Sequence, residues 1–233
     1  MTDPAQSQTL PRQALPRVVA IGFNKCGTRS LAELFRAAGH RVIHHKIRDR
    51  WPVPRRIGKV MRDNLDAGRK VFDSAEDYTF YCDLIVNDGR STWDGAGAFR
   101  EILRDYPDTI LLLNLRDREQ WIASRLKHGH GEFAKREMAA RGLSDLEALK
   151  NEWRAEWDRH LSDVRSFMAD KPAHYIEFNF DSDDPAELSA RLPAYLLDPE
   201  SLRDIGRSRG KKMSPLKRAA KKLNAHLRPR FFR

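Results

Sequence analysis

Apolar residues along this chain fall into continuous runs and into stripes at helical spacing, and the two kinds alternate. Val18 to Ile21 is a continuous run, the form of a strand covered on both faces. It enters a turn rich in glycine and hydroxyls, Gly22 to Ser30. Leu31, Leu34, Phe35 and Ala38 then form a helical stripe stopped by Gly39. Arg41 to His45 reads as a short second strand closing on two histidines, Ile57 to Ala67 as a helix, and Phe80 to Val86 as a strand with Asp83 inside it. Phe99, Ile102, Leu103 and Tyr106 predict a helix ended by Pro107; Thr109 to Leu115 is a second buried strand, followed by a helix from residue 118. Ser144-Asp-Leu-Glu147 has the form of a capping box. It opens a long helix whose apolar face is Leu146, Leu149, Trp153, Trp157, Leu161, Val164 and Met168. Pro172 ends that helix, His174 to Phe180 is the last strand, and Asp184-Pro185 starts a helix running to Leu197.

The first strand, turn and helix carry the most information. This arrangement aims bare backbone N–H groups and the positive end of a helix at a phosphate-like anion. With the later strand–helix units it predicts an α/β fold: a central parallel sheet flanked by helices, with a nucleotide-type ligand beyond the carboxyl end of the first strand. A chain of 233 residues suits one such domain. We place it at 17–206, after a flexible leader at 1–16 and before a basic tail at 207–233.

The turn nearly matches a nucleotide triphosphatase P-loop. Gly22 and Gly27 have the G-x-x-x-x-G spacing, but Thr28-Arg29-Ser30 stands where Lys-Ser/Thr is expected, and the lysine falls earlier, at Lys25. The pattern Lys25-Cys26-Gly27-Thr28-Arg29-Ser30 resembles instead the 5′-phosphosulfate loop of sulfotransferases that use PAPS (3′-phosphoadenosine 5′-phosphosulfate). A second motif supports the same resemblance. Arg116 ends the buried run 109–115, and Ser124 stands eight positions further on in a helix. In these enzymes such a pair grips the 3′-phosphate, arginine as a planar charged fork and serine as a short-bonding hydroxyl. The likeness spans roughly residues 17–200 and is greatest to compact bacterial sulfotransferases, whose fold is a P-loop nucleotide-hydrolase-like three-layer sandwich. Arg29 departs from the threonine many members carry there.

The resemblance implies transfer of a sulfuryl group from PAPS to a hydroxyl or amine of an acceptor, leaving PAP as product. This is a relative of phosphoryl transfer, in which positioning and electrostatics dominate. Lys25 would stabilise the leaving phosphate, helped by the amides of Cys26, Gly27, Thr28, Arg29 and Ser30. The transferred group carries less charge than a phosphoryl group, so no metal is required. Histidine titrates in the right range for a base, and His44 or His45 ends the strand expected beside the loop. Asp83 is the rival carboxylate, with a pKa that burial would raise. His44 is preferred and Asp83 retained. More ordinary readings stand beside these. Arg116 would pair with Asp117 or Glu119, Asp83 would pair with Arg90, Cys26 would be a small loop residue, and Trp153 and Trp157 would be core. His128 and His130 lack metal-ligand spacing.

Two cysteines give no disulfide framework, and no signal-like h-region is evident near the N-terminus, so a cytoplasmic location is expected. The net charge of +10 belongs to the tail. Residues 207–233 hold eleven Lys/Arg and no Asp/Glu, while the remaining chain is near neutral. Arg209-Gly-Lys-Lys212 loosely resembles the segment that closes over the 3′-phosphate in sulfotransferases. Leu216, Ala220, Leu223 and Leu227 align on one face beside basic residues, the form of a helix peripheral to an anionic membrane. The acceptor class, whether a glycan, a lipid or another small molecule, stays open. So do two other functions: a P-loop-like kinase or nucleotide hydrolase, and a non-catalytic protein binding membrane or nucleic acid through the tail. Nucleic acid is disfavoured because the folded part lacks a basic surface interleaved with aromatics.

Overall fold

A strand that is apolar at every position must be covered on both faces. Val18–Ala20, β1, is that strand, and it lies inside a seven-stranded sheet. The computed structural model describes residues 15–48 and 53–206. After β1, α1 (Thr28–Ala37) leads to β2 (Val42–His44), then β3 (Lys46–Ile47), β4 (Arg55–Arg56) and α2 (Ile57–Asp66). Next come β5 (Phe80–Cys82), β6 (Ile85–Asn87), β7 (Thr92–Asp94), α3 (Phe99–Asp105) and β8 (Ile110–Leu115). The order continues with α4 (Arg118–Leu126), α5 (Glu132–Arg141), α6 (Leu146–Met168), β9 (Tyr175–Asn179), α7 (Pro185–Arg191) and α8 (Pro199–Gly206).

The sheet order is β4-β3-β2-β5-β1-β8-β9. Five strands, from β2 to β9, run parallel, and β3 and β4 extend the β2 edge antiparallel. Alternate residues feed two cores, as period two requires. Val18, Ala20, Phe80 and Leu112 meet Leu31 and Phe35 of α1 and Leu188 of α7. Val19, Tyr81, Leu111 and Leu113 meet Phe99, Trp121 and Trp153 on the opposite face. The result is the expected three-layer α/β sandwich. The chain leaves β1 for β2, returns to β5 beside β1, then crosses to β8 on its other side. Strand order therefore reverses at β1, and the turn after β1 opens into the resulting crevice.

Three expectations are corrected. Phe80 to Val86 is not one strand: Asp83 adopts a left-handed backbone (φ 58°), so β5 ends at Cys82 and β6 pairs with β7 in a separate hairpin. A run of apolar residues hid the corner, and aspartate is among the few residue types that tolerate that conformation. The long helix α6 is capped by Asp145 rather than Ser144, its carboxylate accepting from Glu147 and Ala148 N–H. Leu146 is accordingly exposed, while Leu149, Trp153, Trp157, Val164 and Met168 are buried, joined by His160. The last predicted helix breaks at Leu192–Pro193, where proline cannot continue the ladder. Of residues 1–16 only Leu15 and Pro16 are described; the Pro16 carbonyl accepts from the Tyr195 hydroxyl at 2.6 Å. Residues 207–233, including Arg209, lie outside the described residues.

Candidate active site

The turn after β1 is braced from four directions. Gly22 sits so close to β8 that a Cβ would lie 1.8 Å from the Asn114 carbonyl oxygen. Its N–H donates to Asn114 Oδ1 (2.9 Å), and Asn114 Nδ2 donates to the Cys26 carbonyl (2.6 Å). Trp121 Nε1 donates to the Asn24 carbonyl (3.0 Å), and His160 Nε2 donates to the Ile21 carbonyl (2.7 Å). Phe23 stacks on Trp121 with ring centroids 5.2 Å apart. Gly27 takes the left-handed φ of 72° at the start of α1, and a Cβ there would strike the Phe180 ring at 2.3 Å. No side chain caps α1 and its first turn holds no acid, so the N–H groups of Thr28, Arg29 and Ser30 are free for an anion.

Lys25 stands in this turn with φ 75° and is half-buried. Burial first, and then the neighbouring Arg29 charge, hold its ammonium below the usual lysine range; Arg116 adds to this and Asp83 opposes it. A bound anion would relieve the repulsion. Cys26 is fully buried, and burial pushes its thiol up, as for a small residue packed in the loop. Arg29 is exposed and faces a groove of about 410 Å³ shared with Arg36 and His44.

Arg116 follows β8. Its Nη2 donates to Gln120 Oε1 (3.1 Å) and lies 3.7 Å from Asp181, the partner in place of Asp117 or Glu119. Its Nε is buried without a partner. Ser124 lies one helical turn beyond Gln120 on α4, on the same face. No hydrogen bond engages Arg116 Nε or Nη1 or the Ser124 hydroxyl among the described residues.

His44 and Asp83, rivals in the sequence, are neighbours in space. His44 Nε2 lies 3.6 Å from Asp83 Oδ2 and 3.4 Å from Thr28 Oγ1. Both belong to the carboxyl ends of adjacent strands, β2 and β5, paired in register at His44 and Cys82. Burial raises the Asp83 carboxyl despite the opposing charges of His44 and Lys25, and burial lowers the His44 imidazole despite Asp83. His45 turns away from His44 at a left-handed φ of 61°, and burial lowers its imidazole too.

Sequence reading missed Asn114, Asn24 and Phe180. Asn114 did give a signal, as the lone amide in an otherwise apolar buried run. Asn24 lies within the loop motif and Phe180 gave no signal; the roles of both come from tertiary approach. Among the described residues no three His, Cys, Asp or Glu side chains gather as a metal site.

The end of β1 thus brings together a parallel α/β sheet, an uncapped helix, a lysine-bearing turn and an arginine beyond the neighbouring strand. The sulfotransferase domain family matches residues 17–181, most of the chain, and the protein belongs to that family. It is thus a sulfur-group transferase acting on an acceptor substrate. No curated protein matches the chain. No described helix is long and apolar enough to cross a membrane.

Proposed function

We propose that the protein transfers the sulfuryl group of PAPS to an acceptor hydroxyl, with Asp83 as the base and His44 as its positioning partner. The observation that carries this reading is the His44–Asp83 pair at 3.6 Å, set beside the Lys25 turn. The residues present fit a PAPS-like anion: the α1 amides are uncapped, and Arg116 Nε is buried without a partner. Bound PAPS would supply an activated sulfuryl group on a phosphate leaving group.

Lys25 and the α1 amides would hold the 5′-phosphate of bound PAPS and offset the charge it takes up as leaving group. Arg116 and Ser124 hold the 3′-phosphate and so fix the nucleotide's register. Asp83 takes the proton of the acceptor hydroxyl as its oxygen bonds to sulfur. The raised carboxyl makes Asp83 a stronger base than an exposed aspartate, and His44, 3.6 Å away, keeps one carboxylate oxygen oriented. Arg29 lies on the exposed side of α1 and sets the local field rather than gripping the phosphate. The proposed location is the cytoplasm, and the proposed role of the basic tail, Arg209 included, is contact with an anionic membrane or, alternatively, with the nucleotide.

Calorimetric binding of PAP tests the donor assignment. Wild type should bind PAP and discriminate against ATP, which lacks the 3′-phosphate. Lys25→Ala and Arg116→Ala should both weaken binding, the second more. A folded wild type that ignores PAP would overturn the assignment.

A further inference from the structure

Beyond His44 and Asp83 lies a cavity of about 340 Å³. Four permanent cations line it: Lys46, Arg48, Arg56 and Arg136. Asp83 is the single carboxylate among the residues that line it. Arg56 donates only a long bond to the Asn87 carbonyl (3.4 Å), and Arg136 one to the Glu132 carbonyl (3.3 Å). Among the described residues no carboxylate comes within 4 Å of any of the four cationic groups. Several arginines elsewhere on the surface are matched by carboxylates, as in Arg100–Asp163, Arg118–Asp158, Arg154–Glu119 and Arg165–Glu177, whereas here four basic side chains share one cavity with a single acid.

The strand register makes this concentration of charge deliberate. β3 and β4 place Lys46 directly opposite Arg56, and β2 pairs His44 with Lys46. Like charges directly opposite one another on antiparallel strands are destabilising. Here no described acid offsets them, and both side chains face the cavity. The other register pair faces away: Ile47 is buried and Arg55 bonds Ser74. At a strand spacing of about 4.8 Å, Lys46 sits one strand and Arg56 two strands from His44. That is the span of a single sugar ring with a charged substituent. The wall also offers Asn24 Oδ1, buried with no partner, to accept from a ligand hydroxyl. Only Ile85 and Phe133 make it apolar.

We infer that the acceptor is a sugar-sized polyol that carries its own anionic group, a phosphate, sulfate or carboxylate. Lys46, Arg48, Arg56 and Arg136 hold that group, Asn24 accepts from a hydroxyl, and the hydroxyl to be sulfated meets Asp83. The inference rests on the sulfotransferase reading of the same site and adds the class of acceptor.

The test is titration of PAP-saturated protein with glucose 6-phosphate, glucuronate and glucose. At least one of the two charged sugars should bind at least about tenfold more tightly than glucose, and more weakly as salt is raised. Arg56→Gln and Arg136→Gln should each reduce that binding about tenfold and leave the response to glucose alone. Comparing phosphate with carboxylate identifies the preferred anion. Equal binding of glucose, no binding of either charged sugar up to millimolar levels, or no effect of the two variants would overturn the inference. PAP affinity measured in the same samples reports separately on the donor site. Failure there counts against the sulfotransferase reading, whereas failure of the sugars alone counts only against the acceptor class.

Discussion

At the scale of single residues, the division of labour between His44 and Asp83 is open to a direct test. Asp83→Asn should cut turnover by roughly 10²–10⁴ while PAP binding persists, because the amide cannot take a proton. His44→Asn should cost less, about tenfold. It should also move the acid limb of kcat/KM upward, since His44 opposes the rise of the Asp83 carboxyl. In wild type that limb should already lie above the ordinary carboxylate range. The reverse ranking of the two variants in steady-state assays would make His44 the base. Asn114 is a second single-residue test. Its amide bonds Gly22 and Cys26 together, and Asn114→Leu leaves buried partners unmatched. Loss of about 1–3 kcal/mol in urea unfolding is expected, together with weakened PAP binding.

At the scale of elements, the helical layer beside the loop is organised by buried charge. Arg125 of α4 is buried among the rings of Trp121, Trp153 and Phe133, with Glu137 of α5 at 3.9 Å. Glu137 also accepts from Asn87, Thr92 and Arg141, which ties the β6–β7 hairpin to α5. Asp94, at the end of β7, is pushed up to about 7 by burial, with its Oδ2 unpartnered. A carboxyl whose folded pKa is raised binds its proton more tightly in the native state, so it costs stability as pH rises from about 4 to 7. Asp94→Asn should therefore gain on wild type across that window, on the order of 1 kcal/mol or more, in melting curves at pH 4 and pH 8. A constant difference would show that Asp94 does not titrate there.

Elements with strong periodicity were legible in the sequence: β1, α1, β8, α4 and most of α6 stand where the apolar pattern puts them. The corner at Asp83 was not, because β5 and β6 are both apolar and one left-handed residue separates them. The loop motif was legible because its residue types form a fixed short pattern, with glycine at the left-handed turn at Gly27. The His44–Asp83 pairing was hidden, since it depends on β2 and β5 lying side by side although 35 residues of chain intervene between them. The basic cavity was hidden for a similar reason. The folded part is near neutral in sum, and only the register of β3 and β4 concentrates the cations.

At the scale of the whole molecule, the proposed donor and acceptor sites fall on different parts of the sheet. The parallel strands carry the loop, Arg116 and Asp83, while the antiparallel edge carries Lys46 and Arg56. Removal of residues 207–233 should therefore leave PAP affinity largely intact when measured by calorimetry. A large fall would place the tail in the donor site. The bracing of the loop has one more consequence, in the order of synthesis. The turn after β1 is made early, yet the groups that shape it come from 92, 97 and 139 residues later in the chain. Contacts so distant in sequence form slowly, and the nascent chain exposes its first apolar strand until they do. The donor site thus acquires its shape only once α6 has left the ribosome, so a chain stopped short of His160 should emerge with the motif intact and no grip on the nucleotide.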